Sequence, residues 1–245
     1  MSAAPPLSIW VTGDPVPRVA ERAGSFADII RARTGDAWTG EWATVDVTDV
    51  RVRLPAADEV AGVIITGSPA RIADQLPWMR RVQGAVVGLV ERAVPVLGIC
   101  FGHQLLGMAF GGRSGPNPRG REIGTVMLNV LRSDPVVAGP AGFPVSMTHL
   151  DVVQELPPGA RVLAATELDP YAAIRFSENA WGVQFHPEMD GSIVADYIEA
   201  LRDKLLAEGI DADALLASCR DTPDAAGVLE RFARRAAALR ASAAV

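Results

Sequence analysis

At 245 residues and 49% hydrophobic, the chain can bury a substantial core, either as one large α/β domain or as a domain with an appendage. A net charge of −6 without a long basic run argues against a binder of nucleic-acid backbones. No segment approaches the ~20 apolar residues that span a bilayer, the N-terminus has no basic and then apolar targeting pattern, and the two distant cysteines, Cys100 and Cys219, do not make a disulfide framework. The expectation is a cytoplasmic protein with no nucleic-acid and no membrane partner.

In chain order, "LSIWVTG" from Leu7 and "EVAGVIITG" from Glu59 read as short apolar strands that end in glycine. "QLPWMRRVQGAVVGLVERA" from Gln75 has apolar residues at helical spacing, and "AVPVLGIC" from Ala93 is a third strand. Strand, helix, strand in this rhythm predicts an α/β fold, with a central, mainly parallel sheet flanked by helices. After Gly112 the texture changes. "GTVMLNVL", "FPVSMTH", "RVLAATE", "YAAIRF" and "WGVQF" are short strand-like runs separated by Gly, Pro and Asp, which predict a smaller antiparallel portion returning to the core. From about Gly191 the chain is rich in Ala, Leu and charge and reads as a helical tail, broken near Gly209 and around Thr222–Pro223. The expected division is one domain over residues 1–206 and a helical C-terminal extension over 207–245.

The strand "AVPVLGIC" runs straight into the Gly98-x-Cys100-x-Gly102 pattern and then into the apolar-faced "HQLLGMAF". This is the pattern of a nucleophile elbow, with Cys100 where a hydrolase has serine. The two glycines clear space around a strained turn that exposes the sulfur, and the helix N-terminus favours negative charge there. The N–H of Phe101 would face the same space and could bind an oxyanion. The plain alternative is a buried cysteine acting as a small hydrophobe.

Cysteine catalysis needs a base and a group to orient it. The chain has three histidines. His103 lies in the elbow helix, facing away from Cys100, in a packing or capping role. His149 follows a strand in "SMTHLDVV". His186 follows another in "GVQFHPE", with Glu188 two residues on, at the sheet edge where ligands of α/β proteins gather. The plain alternative there is a strand-end histidine satisfied by solvent.

"GICFGHQLLGMAFGG" from Gly98, "GVQFHPE" from Gly182 and "IITGSPA" from Ile64 together resemble the class I, triad-type glutamine amidotransferases, over roughly residues 8 to 205. "SMTHLDVV" is similar to a segment of the glutaminase domain of GMP synthetases. The resemblance implies Cys100 as nucleophile, His186 as general base and acid, and Glu188 as its orienting carboxylate. It implies Gln104, His149 and Asp151 in substrate binding, and an oxyanion hole from Gly67, Ser68 and Phe101. Ser68 stands where a glycine is usual, which bears on the orientation of that peptide.

The implied reaction is attack of the Cys100 thiolate on the glutamine side-chain amide, release of ammonia, and hydrolysis of a glutamyl thioester. No metal and no cofactor is expected, since no Cys/His cluster has zinc spacing. No phosphate loop is present either, so the ATP-dependent synthetase that the resemblance implies as partner is expected to be a separate chain or absent. Two other readings stay open: a hydrolase of γ-glutamyl peptides using the same triad, and a catalytically silent regulatory or binding module. Cys219, Trp78 and Trp181 read as packing residues, and "RFARRAAALR" as a solvated helix face.

Overall fold

The computed structural model describes residues 4–243. Strand β1 (Leu7–Val11) opens the fold. Helix α1 (Pro17–Ala23) begins with proline, where a missing N–H costs nothing. Ser25 and Asp28 then close a capping box on α2 (Phe26–Thr34). Next come β2 (Trp42–Asp46), β3 (Gly62–Ile65), α3 (Pro77–Glu91), β4 (Val96–Ile99) and α4 (Phe101–Ala109). The second half supplies β5 (Arg113–Pro116), β6 (Glu122–Val130), β7 (Gly142–His149), β8 (Asp151–Glu155), β9 (Arg161–Ala165), β10 (Ala173–Ser177) and β11 (Ala180–Val183). Four helices follow: α5 (Gly191–Ala200), α6 (Arg202–Ala207), α7 (Ala212–Ser218) and α8 (Pro223–Ala243).

Nine strands form one sheet in the order β2-β1-β3-β4-β11-β10-β9-β6-β7, and β5 pairs with β8 in a small second sheet. β2, β1, β3, β4 and β11 run parallel. From β11 onward the neighbours are antiparallel. The expected antiparallel portion is present: most of it continues the parallel strands in the same sheet through β11, and β5 with β8 adds a small antiparallel pair.

The inner parallel strands β1, β3, β4 and β11 are covered on both faces, which is why they read as largely apolar runs. Leu7, Ile9, Ile64, Leu97, Ile99 and Trp181 pack toward α2 and α8, where Phe232 meets Trp181 edge-on at 6.4 Å between centroids. Trp10, Val63, Ile65 and Val96 pack on the other face against α3 and α4, through Val82, Val86, Leu105 and Leu106. Trp78 is buried in that second cluster and Cys219 is half-buried beside α7, as their packing roles require. No helix among the described residues is long and apolar enough to cross a membrane.

Candidate active site

Cys100 occupies the bend between β4 and α4 with φ 50° and ψ −101°, a left-handed conformation that a residue with a side chain rarely adopts. The neighbouring glycines are a steric necessity. A Cβ on Gly98 would lie 2.4 Å from the Gly102 carbonyl oxygen, and one on Gly102 would lie 2.5 Å from that of Ile65. Because β11 runs parallel to β4, with Val183 opposite Ile99, both strands deliver their following residues to one edge. The Cys100 N–H donates to the Val183 carbonyl at 2.8 Å. His186, shortly beyond β11, is fixed by its N–H donating to the Ser146 carbonyl at 2.9 Å.

His186 Nδ1 donates to Glu188 Oε1 at 2.7 Å, and both side chains are buried. Burial by itself would lower the proton affinity of the imidazole. The Glu188 carboxylate and then Cys100 outweigh that effect and raise it well above the ordinary histidine range. Nε2 is buried and makes no hydrogen bond of ordinary geometry, yet it is near enough to Cys100 to feel the charge on sulfur. The backbone of Gly67 presses on the same ring: a Cβ there would be 3.0 Å from His186 Cε1 and 3.9 Å from Cys100 Cβ.

The Ser68 side chain is part of the scaffold of its turn. Its hydroxyl donates to the Thr12 carbonyl at 2.6 Å and accepts from the Ala70 N–H at 3.1 Å. The Thr12 hydroxyl reaches the Gly67 carbonyl at 2.8 Å. With that carbonyl held toward Thr12, the Ser68 N–H points to the opposite side of the same planar peptide.

Over the thiol lies a cavity of about 460 Å³. Cys100, Phe101, Gln104, His149, Asp151, His186 and Ser68 line it, whereas Gly67 and Glu188 do not and reach it only through the His186 ring. Their partners are informative. The Gln104 amide donates to the Asp151 carbonyl at 2.7 Å and to Gln184 Oε1 at 3.2 Å. The two ring nitrogens of His149 face Glu122 Oε2 at 3.1 Å and the Asp151 carbonyl at 3.2 Å. Asp151 itself pairs with Arg71 at 2.9 Å and so ties β8 to the 68–71 turn. His103 is fully buried against Phe176, 5.7 Å between ring centroids, and burial, then repulsion from His149, push its pKa down to about 3.

Three contributors escaped the sequence reading. Glu122 and Arg71 had no motif, and only pairing across the fold brings them to His149 and Asp151. Tyr197 lines the cavity. The one trace it left in sequence is its place with Leu201 and Lys204 at helical spacing.

A cysteine on a sharp elbow at the end of a parallel strand, next to a buried histidine–carboxylate pair, is the arrangement of a nucleophile elbow on an α/β sheet. Residues 39–200 match the family described as "Glutamine amidotransferase class-I". A glutamine-hydrolyzing GMP synthase of Thermomicrobium roseum is 42% identical over 134 residues, which cover 52% of this chain and 23% of that protein. From Pyrococcus abyssi, one subunit of a glutamine-hydrolyzing GMP synthase is 34% identical over 148 residues, 60% of this chain and 73% of that one. Aligned regions span only 23% and 32% of the full-length synthases of Thermomicrobium roseum and Aeropyrum pernix.

Two solved structures share the fold. A glutamine amidotransferase from Thermotoga maritima superposes with TM-score 0.72 at 22% identity, over 94% of this chain and 97% of that one. One from Methylobacillus flagellatus gives TM-score 0.72 at 23% identity, over 97% and 94%. The chain belongs to the class I glutamine amidotransferases.

Proposed function

We propose that the protein hydrolyses the side-chain amide of glutamine through a Cys100–His186–Glu188 triad and passes the ammonia to a separate ATP-dependent synthetase. The observation that carries this reading is the left-handed elbow of Cys100 beside the buried His186–Glu188 pair, joined at 2.7 Å. The thiolate attacks the amide carbon, and the developing oxyanion lies between the N–H groups of Phe101 and Ser68. One such donor lowers the barrier by on the order of 3 kcal/mol. The Thr12 hydroxyl that holds the Gly67 carbonyl, with the Ser68 hydroxyl tied to the Thr12 carbonyl, supports the use of the Ser68 N–H in this role, serine in place of glycine notwithstanding.

His186 gives the departing nitrogen its proton and then activates the water that cleaves the thioester. Glu188 holds the imidazole in one tautomer. Gln104, His149 and Asp151 shape the wall that receives the α-amino and carboxylate groups of the substrate, with Gln104 acting through the Asp151 backbone. A synthetase partner is supported by the relative from Pyrococcus abyssi, which is named as one subunit of a GMP synthase.

The test is release of glutamate from glutamine by the wild type, alone and with a co-purified synthetase, beside Cys100→Ala. Loss of glutamate with the variant is expected. Equal rates would remove Cys100 from the reaction.

A further inference from the structure

The cavity extends well beyond the atoms that react. Its volume of about 460 Å³ is within the range of sites that enclose drug-sized ligands, whereas the chemistry itself needs only the floor formed by Cys100, Phe101 and His186. One wall is apolar, built from Val16, Phe26, Tyr197 and Leu201. Val16, Phe26 and Tyr197 pack in one cluster with Met189, which directly follows Glu188, so this wall continues the segment that carries the imidazole. Tyr197 is near the reacting groups: burial, and then the negative charges of Glu188 and Cys100, hold its phenol well above the usual range. The polar and charged residues Asp14, Arg71, Gln104, Arg121, Asp151 and Lys204 line the cavity as well, and Arg71 and Gln104 are each tied to Asp151.

The nitrogen that leaves a γ-glutamyl amide must take its proton from His186. Any substituent on that nitrogen therefore projects from the imidazole side of the thiol, toward the apolar wall. Ammonia carries no such substituent and leaves the wall unused.

We propose that this wall is a leaving-group subsite, and that the protein also hydrolyses γ-glutamyl amides of apolar primary amines; this rests on the thioester chemistry proposed above. Cys100 Sγ bonds to the γ-carbonyl carbon, the C–N bond breaks, and the amine departs with the proton that His186 took from the thiol. Water then adds to the thioester, its proton passes through His186 to sulfur, and glutamate and free thiol result.

Titration calorimetry on Cys100→Ala, which holds substrates unreacted, tests the subsite with γ-glutamyl-isoamylamide, γ-glutamyl-putrescine and glutamine. The isoamylamide is expected to bind at least tenfold tighter than either of the others. Val16→Asp puts a carboxylate on the wall at the N-cap of α1, a position that favours aspartate and has no side-chain cap now. It is expected to shift the putrescine-to-isoamylamide affinity ratio at least tenfold toward the cationic amide. Equal binding of all three, tightest binding of glutamine, or a ratio unmoved by Val16→Asp would overturn the subsite. Wild-type enzyme should release isoamylamine together with glutamate, and failure to do so while glutamine is cleaved would overturn the second activity alone. Glutamine cleaved as fast by Cys100→Ala as by wild type would instead overturn the underlying reading.

Discussion

Single side chains at this site act through contacts of a few ångströms, and two of those contacts can be tested directly. Glu188→Gln keeps the size of the group that receives the His186 Nδ1–H at 2.7 Å but removes its charge and lets the imidazole change tautomer. Glutamine kcat/KM is expected to fall about 10²–10⁴-fold, measured at constant pH with the fold checked by circular dichroism. A near-normal rate would show that the carboxylate does not orient the base. Gly67→Ala places a methyl 3.0 Å from His186 Cε1 and should displace the ring by a few tenths of an ångström. The expected outcome is a drop in kcat of about tenfold or more with little change in melting temperature, because catalytic geometry is less forgiving than packing. At this scale the elbow glycines, Cys100, His186 and Glu188 were legible in the sequence, since a tight turn and a strand end restrict residue type locally. Glu122 and Arg71 were not, because their partners are distant in the chain.

Elements meet here through backbone approaches that only glycine permits, and through one arginine that organises a loop. A Cβ on Gly98 would lie 2.4 Å from a backbone oxygen at the start of α4, an atom that cannot step aside as a flexible side chain can. Gly98→Ala is therefore expected to cost about 3 kcal/mol or more, read as a lower urea midpoint with unchanged slope. From α3, Arg81 donates to the carbonyls of Val47, Asp49, Val50 and Val52 and so anchors the loop after β2. Arg81→Ala should lose about 1–3 kcal/mol, and Arg81→Lys should not restore it, because a single ammonium cannot span four carbonyls. Full recovery with lysine would assign the effect to charge alone. Buried strands announced themselves by continuous apolar runs, whereas β2 and β5 did not. β2 is an edge strand of half-buried and exposed residues, and β5 is a short piece containing Gly115 and Pro116 that pairs only with β8.

Across the whole molecule, two buried groups set opposite trends in acid. His103 is neutral in the fold, its pKa lowered to about 3 by burial, so its contribution to stability is full above pH 6.5 and is lost as the pH falls toward 3. Asp169 is pushed the other way, up to about 6 by burial, so the cost of its buried charge is full above pH 6 and disappears below 3.8. These slopes oppose one another between pH 6 and 4. Asp169→Asn keeps an oxygen for the Tyr171 N–H and removes the charge, so it should stabilise the protein at pH 7.5 by up to about 3 kcal/mol and give little or no gain at pH 3.5. It should also leave the acid side of the stability curve steeper, with the His103 slope exposed. A gain that is the same at both pH values would show that charge is not the cause.

What the chain determined by itself was local and periodic: the parallel α/β core, the strained cysteine elbow, and a histidine with its carboxylate at a strand end, because turns and apolar spacing act over a few residues. Only the tertiary structure decided that β11 lies beside β4 and brings His186 over Cys100, that the antiparallel strands extend the same sheet, and that Val16, Phe26 and Tyr197 make one wall of the cavity. Those outcomes depend on which distant segments bury their apolar faces together, a choice made by the energy of the whole packed core rather than by any stretch of sequence.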